Sequence, residues 1–205
     1  ESQDIERMSK MAYMVGLDHL FMDEYAPAKS YFEKSLSFAE QLNNMQMVAT
    51  AHKGLGGCDY FLGAYQDAID HYLVSYQLWH ESHNRNWLTN ICYDLAEGYA
   101  TIYQFKEAQH YYEKGVTLAQ ELELHRFYEE FVALKKRFPS LEMALDNRQS
   151  RTLVFVDEQG SINRTQYMTL AGVGKSQAYR DLNDLCKQGF LKRVGVGRGT
   201  HYVRP

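Results

Sequence analysis

Residues 54–84, GLGGCDYFLGAYQDAIDHYLVSYQLWHESHN, read as one helical hairpin. "GLGGCDYFL" (54–62) closes a first helix, "GAY" (63–65) turns, and "QDAIDHYLVSYQLWHESHN" (66–84) forms the second helix. Ala68, Tyr72 and Tyr76 recur every fourth residue, which places them on one buried stripe. Gly56 in the first helix lets its partner approach closely. Ala68, three residues after Tyr65, does the same from the other side.

The hairpin recurs at a shift of 40 residues. Ala28, Ala68 and Ala108 coincide, as do Tyr25, Tyr65 and Phe105, and Phe32, Tyr72 and Tyr112. Gly16, Gly56 and Ala96 form a small-residue column, with Val15, Leu55 and Leu95 beside it. We expect three units, near 11–44, 51–84 and 91–124, with residues 1–10 in a preceding helix. The register stops after Leu124, because Lys136 falls where a small residue is needed. Asn43, Asn44, Asn84 and Asn86 read as polar breakers at the ends of second helices.

Over Met11 to Leu124 this pattern resembles the tetratricopeptide repeat, in a form of about 40 residues rather than 34. The family's first-helix Trp and closing Pro are absent. The resemblance implies a right-handed superhelix whose inner face is lined by first helices. The inward positions would then be Tyr13, Leu17 and Leu20, then Lys53 and Tyr60, then Asn90, Tyr93 and Glu97. Lys53 and Asn90 would grip a peptide backbone or carboxylate, and the Tyr rings would pack its side chains. Alternatively, the aromatics simply fill the core between repeats. Lys53 stands apart, since burying a lone ammonium is costly.

"ELELHRFYEEFVALKKRF" (121–138) continues amphipathically, with Leu124, Phe127, Phe131 and Leu134 on one face. Pro139 breaks it, and "SLEMALDN" (140–147) reads as a short connecting helix. With no Gly/Ser-rich linker, the joint is expected to be stiff. We place the domain boundary between 146 and 147.

Residues 147–205 hold ten Lys and Arg against four acids, a charge of +6. The rest of the chain carries −10, so the overall −4 conceals two opposed halves. A basic module on an acidic body points to a DNA-facing end. "RQSRTLVFVDEQG" reads as a helix with Leu153, Val156 and Thr152 inward and Gly160 as its stop. "SIN" is a short strand, and Asn163 caps the helix "RTQYMTLA", whose Tyr167 and Leu170 face the core. "GVG" is the turn of a helix-turn-helix, and "KSQAYRDLNDLCKQ" is the third helix, with Ala178, Leu182 and Leu185 inward. "FLKRVGVGRGTHYVRP" is a hairpin with a Gly-rich tip.

This reads as a winged helix. It resembles the one at the C-terminus of many Fic-family proteins and related bacterial regulators. The matching residues include Arg148-Gln149, Gly160, Ile162-Asn163, Tyr167, Gly172-Val173 and Arg180-Asp181-Leu182. Gly197-Arg198-Gly199-Thr200 and Tyr202 extend the match. Gly174 stands where the family has a Ser cap. The Fic catalytic motif is absent, so the resemblance implies a DNA-binding accessory module rather than AMP transfer.

Lys175, Ser176 and Gln177 would enter the major groove, with Gln177 suited to bidentate adenine readout. Tyr179 and Arg180 share that flank, and Arg198 at the tip would enter the minor groove. Arg164, Thr165, Lys192 and Arg193 would clamp phosphates. Asp181 and Asp184 on the same helix weigh toward a protein-docking module instead.

No catalytic constellation stands out, and we expect no enzyme activity. "HESH" (80–83) lacks HExxH spacing and a third ligand, so no metal is expected, nor any other cofactor. "GVGKS" (172–176) lacks the spacing of a phosphate loop. Cys58, Cys92 and Cys186 are scattered and read as apolar packers in a reducing cytoplasm; a redox sensor is the alternative. No apolar run is long enough to span a membrane. The chain opens on Glu1, within what reads as helix, so we expect a piece of a longer protein.

The expected fold is mainly α: a tetratricopeptide-type superhelix, then a small α+β winged helix. The expected function is a cytoplasmic bacterial transcriptional regulator. Its partners would be double-stranded DNA and a peptide or protein in the repeat groove, and a homodimer would match two-fold operators. The other reading is an interaction scaffold whose winged helix docks on protein. Peptide-pheromone receptors of Gram-positive bacteria also pair long repeats with a helix-turn-helix, but in the opposite order.

Overall fold

The computed structural model describes residues 2–138, 141 and 147–205, the side chains of Asn147 and Arg198 excepted. The connecting helix, the break at Pro139 and the stiffness expected of the joint therefore concern a stretch that lies, Leu141 and Asn147's backbone apart, outside the described residues. The chain divides into two units, Glu1–Ile102 with Glu107–Leu141, and Tyr103–Lys106 with Glu142–Pro205.

The fold is mainly α. The repeat body runs α1 (Ser2–Phe21), α2 (Tyr25–Gln41), α3 (Met45–Phe61), α4 (Tyr65–Glu81), α5 (Arg85–Thr101), α6 (Phe105–Glu121) and α7 (His125–Arg137). From α2 to α6 each helix has 17 residues. Each turn holds one residue in the left-handed region: Asp23, Asn43, Gly63, His83, Tyr103 and Glu123, spaced every 20 residues. At all of these but Tyr103 the next residue's N–H bonds a carbonyl five back, as in Asn44 to Ala39 (3.0 Å) and Ala64 to Asp59 (2.9 Å). These bonds satisfy carbonyls that the helix end leaves open.

Two expectations change. Residues 2–10 belong to the same helix as Met11–Phe21, not to a preceding one. Asn44 and Asn84 begin helices rather than end them: their side chains accept from the N–H groups of Met47 and Trp87. Asn86 lies in the first turn of α5. The 40-residue register also carries past Leu124, since α7 follows α5 at that shift.

The repeated Ala and aromatic columns form the core. Ala28, Phe32, Leu55 and Cys58 make one cluster, against which Tyr13, Leu17 and Leu20 pack. Ala68, Ile69, Tyr72, Ile91 and Leu95 make the next. Gly56 explains the close approach: a Cβ there would stand 2.5 Å from the Tyr72 ring and 3.0 Å from the Ala68 carbonyl. Burial pushes the thiol pKa of Cys58 to about 11 and of Cys92 to about 12, as befits packing groups.

One polar chain crosses this core. The Asp59 carboxylate is 1% exposed and accepts a 2.5 Å bond from Lys29. His71 Nε2 lies 3.7 Å from it, and His71 Nδ1 is 2.9 Å from His52 Nδ1. Burial, with His71 alongside, holds the His52 ring down at about 4.

The second unit holds α8 (Asn147–Gln159), β1 (Ile162–Asn163), α9 (Arg164–Ala171), α10 (Lys175–Lys187), β2 (Lys192–Val194) and β3 (His201–Val203). The sheet order is β1-β3-β2, antiparallel throughout, with Ile162 opposite Tyr202 and Arg193 opposite Tyr202. Asn163 caps α9 reciprocally: it accepts from the Gln166 N–H, and the Gln166 side chain accepts from its own. Leu153, Tyr167, Ala178, Leu182 and Leu185 are all fully buried. Leu170 is only half-buried.

Gly56→Ala should cost about 1–3 kcal/mol by overpacking. Gly63→Ala, with φ +82° but open space around it, should cost only the left-handed strain of about 1 kcal/mol; urea unfolding checks the order. Because folded His52 titrates below the unfolded value of about 6.5, the unfolded chain binds the extra proton between those values. Stability should therefore be full above pH 6.5 and fall toward pH 4, and His52→Gln should flatten that fall.

Candidate nucleic-acid interface and repeat groove

On the second unit, α9 and the start of α10 converge. Arg164, Thr165 and Lys175 line a concavity of about 560 Å³ with Asn163, Met168, Gly197, Thr200 and Tyr202. Arg164 and Lys175 also line a second of similar volume with Ser176, Tyr179 and Arg180. The Arg164 guanidinium sits 5.7 Å over the Tyr179 ring. Gly174 caps α10 without a side-chain acceptor, so the helix start keeps its N–H groups for another ligand. Six expected contact residues are thus brought together.

The others fall elsewhere. Lys192 and Arg193 are exposed on β2 and line neither concavity. Arg198's side chain lies outside the described residues. Gln177 is half-buried and engaged: its Nε2 donates to Asp181 Oδ1 (2.5 Å), and its Oε1 accepts from Arg180 Nη2 (2.7 Å). Three of the four acids of residues 147–205 are engaged by side chains of the same unit, and Glu158 is exposed. Asp181 is 5% exposed and also accepts from the Tyr167 hydroxyl (2.6 Å). Asp157 is held by Arg204 through two bonds of 2.7 and 2.9 Å, and Asp184 lies 3.5 Å from Lys187.

In the repeat body, Lys53 is paired. Its Nζ stands 3.1 Å from Asp94 Oδ2, with both side chains mostly covered. Burial pulls the ammonium's pKa down, but Asp94, Tyr13 and Glu130 together push it higher still. Burial raises Asp94, against the pull of Lys53. The cost of a lone buried Lys thus does not arise, because Asp94 supplies the counter-charge. Glu97 accepts from Arg137, and the Tyr60 hydroxyl shares a 3.1 Å bond with Thr101. Tyr13 packs on Phe32 and Tyr93 edge-on to Phe131, so both rings serve the core. Asn90, one turn before Asp94, differs: its Oδ1 is buried and has no hydrogen-bond partner among the described residues. Asp94 and Arg137 had a sequence signal, lying 41 residues after Lys53 and 40 after Glu97.

Among the described residues no group of three or more His, Cys, Asp or Glu is placed to hold a metal ion. No helix there is long and apolar enough to cross a membrane.

Residues 145–205 match a family model described as the C-terminal domain of the DIP2311-like transcriptional regulators. No curated protein matches the chain. Among solved structures it is similar to aspartyl phosphate phosphatase F from Bacillus subtilis, at 19% identity over 90% of this chain and 47% of that one, TM-score 0.61. It is also similar to the apo form of RapI, at 19% identity over 89% of this chain and 72% of that one, TM-score 0.64. A Rap protein complexed with competence and sporulation factor matches at 18% identity over 88% and 54%, TM-score 0.61. The chain spans about half the length of the first and last of these. These likenesses concern the fold, a tetratricopeptide-like helical repeat.

Lys53→Met should leave Asp94 without its counter-charge and cost about 2 kcal/mol. Lys53→Met with Asp94→Leu should recover most of that in chemical denaturation, since an apolar pair of similar volume replaces the ions.

Proposed function

We propose that this chain is a non-enzymatic, DNA-binding transcriptional regulator. Residues 147–205 act as a winged helix, similar to that of Fic-family proteins. α9 and α10 form its helix-turn-helix, and β2 and β3 its wing. The observation that carries the reading is the sorting of charge. Arg164, Lys175 and Arg180 stand exposed around the start of α10. Asp157, Asp181 and Asp184 are meanwhile engaged with other side chains of the same unit. A surface that gathers bases and occupies its acids suits a phosphate backbone. The match to a transcriptional-regulator domain supports it.

The repeat body in this reading takes a peptide or protein segment. That a similarly folded Rap protein was solved with competence and sporulation factor supports a binding role for the fold. The regulator binds DNA as a homodimer and works in the cytoplasm.

Affinity for a random pool of duplexes should fall steeply with salt. Arg164→Ala and Lys175→Ala should each weaken all sequences alike and reduce the salt slope by about 1. Binding that ignores salt, or variants that bind as well as the parent chain, would favour a protein-docking role instead.

A further inference from the structure

Gln177 is the side chain of α10 best suited to reading a base, and it is not free to rotate. A carboxamide has two N–H donors and an oxygen with two lone pairs. One N–H is given to Asp181 Oδ1 at 2.5 Å, and one lone pair takes a bond from Arg180 at 2.7 Å. One donor and one lone pair remain. Adenine presents the complementary pair in the major groove, an N7 acceptor and an N6–H donor.

The choice of anchors fixes which way the amide faces. An ionised carboxylate only accepts, so it faces the amide nitrogen. A guanidinium only donates, so it faces the amide oxygen. Asp181 is itself held: it is 5% exposed, accepts from Tyr167 of α9 at 2.6 Å, and lies 3.8 Å from Arg148 of α8. Its position is thus set by the other two helices of the unit rather than by α10 alone.

We propose that Asp181 is a specificity-determining positioning residue, which holds the Gln177 amide so that its remaining N–H and lone pair face an adenine edge. This rests on the DNA-binding reading above. Asp181 touches no base. It acts by removing the flipped amide, which would offer the wrong pattern, and by meeting the entropy cost of ordering a Gln side chain before DNA arrives.

Asp181→Asn tests it, because the change keeps the shape but lets the neighbour face either end of the amide. Sequences bound from a random duplex pool are compared for the wild-type chain, Asp181→Asn, Gln177→Ala and the double variant. The wild type should prefer adenine at one position. Asp181→Asn should lose about tenfold of that preference. Its affinity for non-cognate duplex and the salt slope should stay unchanged. The double variant should lose no more than Gln177→Ala, since both act through one group. Retained preference in Asp181→Asn, or equal weakening on every sequence, overturns the positioning role while leaving DNA binding standing. A wild type with salt-dependent binding but no base preference overturns the role of Gln177 as well. A wild type that binds no DNA removes the function and the proposal together. Should Asp181→Asn fail to fold, the wild-type side-chain amide resonance of Gln177, assigned by its loss in Gln177→Ala, decides. Slow exchange of one proton supports the anchor, and the exchange of an ordinary exposed Gln overturns it.

Discussion

The repeat body depends on how its helices end. After each helix from α1 to α6 one residue enters the left-handed region, and at Asp23, Asn43, Gly63, His83 and Glu123 the following N–H closes on a carbonyl five residues earlier. That closure leaves the chain a single exit direction, so the next helix returns antiparallel with its apolar stripe facing back. The stripe of Ala and aromatic residues fits because Gly16 and Gly56 have no Cβ to hold the helices apart, and Ala96 in the same column has only a methyl. A fixed helix length and a fixed turn together bring residues 40 or 41 apart face to face on successive first helices. Lys53 with Asp94, Tyr60 with Thr101 and Glu97 with Arg137 are all such pairs.

Those pairs decide what the groove offers. Ions that neutralise one another between successive first helices restrain those side chains. In the second unit the logic is reversed: Asp157, Asp181 and Asp184 are engaged by side chains of the same unit, so that the exposed groups are mostly bases. The two units thus treat charge in opposite ways, as their net charges of opposite sign require.

Much of this was legible in the sequence because it is periodic. The columns Ala28-Ala68-Ala108 and Phe32-Tyr72-Tyr112 identify the hairpins, and Asn163 with Gln166 announces the start of α9. What was missed involves partners rather than elements. Lys53 reads as unpaired because a 40-residue shift aligns like residues, whereas its counter-charge Asp94 lies 41 residues on. Lys136 at a small-residue position hides the continuing register and with it Arg137, although α7 accommodates that Lys. Asn44 and Asn84 read as terminators because an Asn between two helices serves either one. Gln177 was seen as a reader of bases, but a sequence alone does not reveal that Asp181, four residues later, is buried and pinned by Tyr167.

The 20-residue spacing of the left-handed turns also restricts how such a chain can change its length over evolutionary time. One residue inserted within α4 turns everything after it by about 100° around the helix axis. Asp94 and Asn90 would then leave the face that meets α3, while later pairs such as Glu97 with Arg137 would move together and persist. Loss or gain of a whole helical hairpin disturbs none of these registers. Lineages carrying this architecture are therefore expected to differ by entire hairpins, and to accept single-residue insertions in the wing before they accept them in the repeats.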